Sequence, residues 1–342
     1  SSGYYGKFRI MYSAVCLQPY HTATKDMDVL IHIGEVSGDY YGLGIHPKEV
    51  WRVNSDGEIR DTFHKLRFVF EMPEVAFFNK YAEKHTTSEN SYYQECKEQY
   101  DAIQTLIPDL PFGNIWVAQK LSKKLPANSI LHLGILNTLR SWNFFELSKG
   151  VQSYCNVGGF GIDGIISTSI GASLAEKSKI IFTVVGDLAF FYDLNSMANR
   201  HIKPNLRILL INNGRGTEFT NYGHPGHAFG ENADPFIAAA GHFGNKSHEL
   251  VKNFAEDLGF KYIHASNKEE FLKVYPEFVS AEQSEHPMIF EVFTDSKDES
   301  DALEMMAHLK MDSPTITQKV KNAVKAVVGE ENIVKVRNIL NK

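Results

Sequence analysis

From residue 112 onward, short apolar runs alternate with amphipathic segments, and few folds satisfy that rhythm. The apolar runs are "SILHLGI" (129–135), residues 151–155, "KIIFTVVG" (179–186), "LRILLINN" (206–213), "KYIHA" (261–265) and "PMIFEVFT" (287–294). Between them, helices are expected over 112–124, 137–148, 163–176, 188–200 ("LAFFYDLNSMANR"), 233–241, 247–258 and 267–276. Strands this uniformly apolar must be buried on both faces, and helices between them supply the cover. The pattern predicts an α/β fold built on a doubly wound, mostly parallel sheet.

The first third reads differently. Strands are expected at 8–14, 28–33 ("DVLIHIG"), 49–59 ("EVWRVNSDGEI", entering an Asp56-Gly57 turn) and 66–71 ("LRFVFE"). Residues 74–107 turn helical and charged, and the stretch from Pro108 to Pro111 looks like a boundary. The expected organisation is a partial second α/β domain over 1–90 and a helical connector over 91–111. The main α/β domain follows over 112–312, then a helical extension over 313–342. In that extension Ile316, Val320, Val324 and Val327 are spaced for one helix face.

Composition removes several function classes. With 342 residues, 43% of them hydrophobic, the chain can bury a large core. A formal charge of −6 and no basic, aromatic-interleaved stripe argue against nucleic-acid binding. No apolar run approaches the roughly 20 residues of a membrane span. Three widely spaced cysteines, Cys16, Cys96 and Cys155, argue against a disulfide framework or zinc site and point to a reducing cytoplasm. The chain opens on Ser-Ser-Gly without a methionine or a visible signal peptide, which suggests a piece of a longer polypeptide.

Chemistry concentrates at the tips of two consecutive strands. One stops at Gly186-Asp187, the next at Asn212-Asn213, with one helix between. In open parallel sheets, ligands bind beyond the carboxyl ends of the strands. Asp and Asn oxygens, with carbonyls from the "NGRG" turn, suit a hard cation such as Mg²⁺ shared with phosphates. Backbone N–H groups after Asp187 can hold a phosphate. Each element alone reads equally as a turn or a helix cap; together, in consecutive loops, they indicate a metal–diphosphate site.

This segment resembles the diphosphate-binding motif of thiamine-diphosphate enzymes. Within them the chain is most similar to the 2-succinyl-5-enolpyruvyl-6-hydroxy-3-cyclohexene-1-carboxylate synthases of the menaquinone pathway. The similarity is carried by "CNVGGFGIDGIISTSIG" (155–171) and "GDLAFFYDLN" (186–195), with weaker echoes in "NNGRGTEF" (212–219), "DVLIHIG" and "VNSDGEIRDTF" (53–63). The resemblance implies thiamine diphosphate and Mg²⁺ (or Mn²⁺) as cofactors, and a 2-oxo acid as substrate. It makes residues 1–90 the latter part of the family's central domain and 112–312 its diphosphate-binding domain. Asp187, Asn213 and the carbonyl of Arg215 become metal ligands. Gly186, Asp187, Leu188, Ala189, Ile162, Asn213 and Gly216 become cofactor contacts, and Arg140 and Phe219 substrate contacts. Read without the family, Ile162 is a core residue, Arg140 a solvated helix residue and Phe219 packing. No catalytic residue is assigned. The family's cofactor-activating glutamate lies on a pyrimidine-binding domain, which would come from the full-length protein or another chain. The expected assembly is a homodimer or homotetramer.

Three departures concern the substrate. The family's Asn-Arg-Gly appears as Asn156-Val157-Gly158, a serine position is Leu136, and an apolar position is Glu218. Val157 and Glu218 favour a decarboxylase or carboligase acting on another 2-oxo acid, for instance in surface-sugar biosynthesis. A non-catalytic oligomerisation domain is the alternative, and a flavodoxin-like nucleotide binder lacks its glycine fingerprint. His224 and His227, in a Gly/Pro-rich stretch, are expected in a loop near the site rather than on zinc.

Overall fold

The computed structural model describes residues 10–18, 27–34, 41–83, 91–156, 161–242 and 246–309. Val157, Gly158 and the expected helices over 313–342 lie outside them. Two parallel sheets form. Strands Val29–Ile33 (β1), Glu49–Asn54 (β2) and Leu66–Glu71 (β3) pair in the order β1-β2-β3. The larger sheet takes Ile130–Leu133 (β4), Gln152–Cys155 (β5), Ile181–Gly186 (β6), Leu206–Asn212 (β7), Lys261–Ala265 (β8) and Met288–Phe293 (β9). Its order is β5-β4-β6-β7-β9-β8, every pair parallel.

The helices are Ser13–Cys16 (α1), Glu74–Ala82 (α2), Ser91–Leu106 (α3), Asn114–Leu121 (α4), Asn137–Trp142 (α5), Ile165–Ala175 (α6), Asp187–Tyr192 (α7), Asp234–Ile237 (α8), Ala239–His242 (α9), Leu250–Asp257 (α10), Lys268–Phe278 (α11) and Ser296–Ala307 (α12). Among the described residues no helix is long and apolar enough to cross a membrane.

Side chains alternate between the two faces of the large sheet, and the inner strands β4, β6, β7 and β9 are buried on both, which is why they are mostly apolar. Leu131, Leu133, Phe182, Val184, Leu209, Ile211, Phe290 and Val292 join one core layer. Ile130, Ile181, Val185, Ile208, Leu210 and Ile289 join the other. The chain runs from β4 to β5 on one side and then to β6 on the other, so the winding reverses beside β4. A crevice opens there at the strands' carboxyl ends.

Two expectations are corrected. The strand expected over 8–14 is absent from the described part of that segment. Residues 13–16 form the helical turn α1, whose Ala14 and Val15 enter the same core layer as Tyr100 and Ile103 of α3. Gln18 fixes that position: its amide donates to the carbonyls of Ala14 and Met306, and its oxygen accepts from the Leu309 N–H. The helix expected over 137–148 ends at Trp142. Beyond it Phe144, Phe145 and Leu147 are all buried in one core layer.

Two buried charges pin the large domain. Arg207 on β7 donates to the carbonyls of Phe278 (2.7 Å), Ser280 (2.6 Å) and Glu282, tying down the chain between α11 and β9. Glu299 on α12 accepts the Asn114 N–H at 3.0 Å and the Thr294 hydroxyl at 2.9 Å, joining α12, the start of α4 and the end of β9. Arg207→Met keeps the aliphatic volume but strands three carbonyls. We expect a loss of about 2–4 kcal/mol in urea unfolding, read as a lower midpoint at unchanged slope; a loss below about 1 kcal/mol would mean the guanidinium pins nothing.

Burial pushes the Glu299 carboxyl up to about 7, although its hydrogen bonds pull the other way. The folded protein therefore holds this proton more tightly than the unfolded chain does. The associated stability is fully present below the ordinary carboxylate range and is lost as pH rises towards 7. Glu299→Gln cannot titrate, so the drop in unfolding free energy between pH 5 and pH 8 should shrink by on the order of 2 kcal/mol relative to the parent. An identical drop in both proteins would contradict the assignment.

Candidate active site

In β6 and β7, Gly186 lies opposite Ile211, so Asp187 and the pair Asn212-Asn213 leave the sheet together at adjacent strand ends. The tip is built around the Asp187 carboxylate, which is 1% exposed. One oxygen accepts the Leu188 N–H at 2.7 Å and the other the Gly214 N–H. Gly214 presents that N–H from a positive φ of 78°, a conformation open to glycine at little cost. Asn213 folds its side-chain oxygen onto the Arg215 N–H at 3.1 Å. Arg215 bridges Ala238, but the two bonds run from Gly216 to Ile237 and from Ala239 to Gly214. Neither uses the Arg215 carbonyl.

Burial pushes the Asp187 carboxyl up to about 7; the amides of Leu188, Gly214 and Asn213 oppose the rise, and the nearby Glu299 charge adds to it. Asp187, Asn213 and Arg215 line one cavity, and a carboxylate, an amide oxygen and a carbonyl are the oxygen donors that Mg²⁺ takes with phosphate, so the residue types fit that ion. The helix after Asp187 is six residues long, so the backbone of residues 186–189 offers only a short turn to a diphosphate.

A cavity of about 280 Å³ opens over this tip. Gly186, Asp187, Leu188, Ala189, Ile162, Asn213, Arg215, Gly216, Glu218 and Phe219 all line it. Arg140 does not: its guanidinium forks onto Glu218 at 2.7 and 3.0 Å. His224 caps, and His227 lies within, the 3-10 helical segment Pro225–Ala233 rather than a loop; His224 accepts the Gly226 N–H and His227 meets the Thr220 carbonyl. Among the described residues no three His, Cys, Asp or Glu side chains group as a metal site.

Several features had no signal in the sequence. Asn114, 2% exposed, lines the cavity with its side-chain oxygen unpaired while its amide donates to Thr138. Asn137 donates to Thr217 at 2.9 Å, joining the loops after β4 and β7. Leu136, between β4 and α5, is held at φ 64°, a costly conformation for a branched side chain that concentrates at functional sites. Behind the tip, Glu291 accepts from Asn212 and from the Tyr262 hydroxyl, both at 2.6 Å. Only the unusual leucine where a serine was expected hinted at any of this.

No protein-family model matches the chain. Curated relatives do. The chain is 35% identical over 263 residues to the 2-succinyl-5-enolpyruvyl-6-hydroxy-3-cyclohexene-1-carboxylate synthase of Phocaeicola vulgatus, covering 77% of this chain and 45% of that protein. The enzymes of the same name from Bacteroides thetaiotaomicron and Bacteroides fragilis are 32% and 34% identical, with the same coverage. The chain spans about half the length of the curated relatives it matches. Over that matching stretch, which holds the strand tips and the cavity, the chain is a homologue of the 2-succinyl-5-enolpyruvyl-6-hydroxy-3-cyclohexene-1-carboxylate synthases.

Proposed function

We propose that this chain is the diphosphate-binding part, with a portion of the central domain, of a thiamine-diphosphate- and Mg²⁺-dependent enzyme acting on a 2-oxo acid. The observation that carries the reading is the buried Asp187 carboxylate. It is tied across to the Asn213-Gly214 turn at two adjacent strand tips and faces a cavity. The relatives' printed name supports the same chemistry. Asp187, Asn213 and the Arg215 carbonyl would hold the metal, and the backbone of 186–189 with Gly216 the diphosphate. Ile162, on the cavity wall, would prop the cofactor. When bound, that cofactor supplies an electron sink for loss of CO₂ and for forming or breaking a C–C bond.

The chain's own residues bind and orient. Gly216 has the Leu188 side chain so close that an added Cβ would stand 3.2 Å from it. That packing sets the spacing between the two loops. Leu136, Phe219 and Phe236 line the cavity and present apolar surface, which limits water near the reacting carbon. A pyrimidine-binding domain, from the full-length protein or another chain, would carry the activating glutamate. A homodimer or homotetramer in the cytoplasm is the expected setting.

The test is calorimetric titration of thiamine diphosphate into the natural full-length protein, with and without Mg²⁺. Asp187→Asn keeps the shape and removes the charge. Losing a ligand carboxylate costs on the order of 3 kcal/mol, so Mg²⁺-dependent affinity should fall a hundredfold or more. Equal binding by parent and variant, indifferent to Mg²⁺, would sink the proposal.

A further inference from the structure

The pair formed by Arg140 and Glu218 is the most specific feature of the cavity wall. Arg140 comes from α5 and Glu218 from the turn Thr217–Thr220, one on each of the loops that follow β4 and β7. Both guanidinium Nη atoms donate, one to each carboxylate oxygen, at 2.7 and 3.0 Å. Such two-point pairing is strong and directional. The side chains are 5% and 16% exposed, and the guanidinium also lies 5.8 Å from the Tyr41 ring centroid.

Glu218 is among the residues that line the cavity and Arg140 is not, and both Nη atoms of Arg140 are committed to the Glu218 carboxylate. Arg215 is the cationic residue among those described on the cavity wall, and its guanidinium is paired with Asp234 at 2.9 Å. Among the described residues, a ligand entering the cavity therefore meets no uncommitted side-chain cation on this wall. It meets a carboxylate whose remaining lone pairs accept hydrogen bonds. A second carboxylate on the ligand would be repelled by Glu218 and would have to break a bidentate pair to reach Arg140.

We infer that Glu218 sets the substrate class of this cavity: the part of the substrate resting against it is a hydrogen-bond donor without negative charge, as in a polyhydroxylated 2-oxo acid, and not a second carboxylate. The inference rests on the cavity being the site of 2-oxo acid chemistry. It assigns Glu218 a screening role, in which it holds Arg140 back and offers an acceptor in its place.

Calorimetric titrations of the natural full-length protein with pyruvate, 2-oxoglutarate and 2-oxogluconate test it, each with and without thiamine diphosphate and Mg²⁺. The parent should bind 2-oxogluconate more tightly than 2-oxoglutarate. Glu218→Gln, shown folded by cooperative thermal unfolding, should tighten 2-oxoglutarate by about tenfold or more while leaving pyruvate unchanged. Adding Arg140→Gln to that variant should remove the gain. A parent that prefers 2-oxoglutarate, no tightening in Glu218→Gln, or a gain that survives loss of Arg140 each overturns the inference. If the selectivity responds as expected but thiamine diphosphate does not bind, the specificity role stands and the cofactor reading falls. If the cofactor binds and the selectivity does not respond, the reverse holds.

Discussion

Everything at the carboxyl end of the large sheet is arranged around one unfavourable act, the burial of the Asp187 carboxylate. Removing an ionised carboxylate from water costs several kcal/mol unless partners replace the solvent. Here the partners are backbone amides, from its own helix start and from the turn after the neighbouring strand. That choice fixes the two loops relative to each other, because the carboxylate can satisfy both only when β6 and β7 end in register. The same bonds that hold the loops in place also keep the carboxylate on the wall of the cavity.

Around this centre lie two buried polar relays, and each stiffens a different side. One runs from Asn212 through Glu291 to Tyr262 and ties the tip of β7 to the outer strand β8. The other joins Glu299 to the first turn of α4, whose Asn114 bonds Thr138 at the start of α5. Buried carboxylates are poor investments in stability alone, since an apolar side chain of the same volume would serve. Their placement one layer behind the strand tips is consistent with holding loops whose own sequences, rich in Gly and Asn, have little intrinsic stiffness.

The parts that could be read from sequence are those with a local cause. The inner strands β4, β6, β7 and β9 are mostly apolar runs, because both their faces are covered, and Asp187 and Asn213 stood out because they interrupt such runs at their ends. The failures share a different cause. Residues 8–14 are apolar enough for a strand, yet no partner strand lies beside the described part, and Ala14 and Val15 are buried against a helix about 90 residues away in sequence. Glu299 sits in "SKDESDALEMM", a stretch that looks like a solvated helix start, and its burial depends on the distant Asn114. The Arg140–Glu218 pair spans 78 positions. Each residue was visible as a departure or a candidate; only their meeting in space shows that one neutralises the other.

That meeting changes how the cavity's charge must be reckoned. On sequence alone, an arginine near the substrate favours anions and a glutamate opposes them, and the two effects seem separate. Paired face to face, the two charges largely cancel, and of the two residues only Glu218 lines the cavity. Asp187, Asn213 and Arg215 line the same cavity, where a bound cation would offset the Asp187 charge. The cavity offers apolar contact from Leu136, Phe219 and Phe236 and acceptors from Glu218 and Asn114. A site so lined discriminates by what it leaves unpaired: an anionic group placed against Glu218 loses its hydration and gains repulsion, whereas a hydroxyl loses its hydration and gains an acceptor.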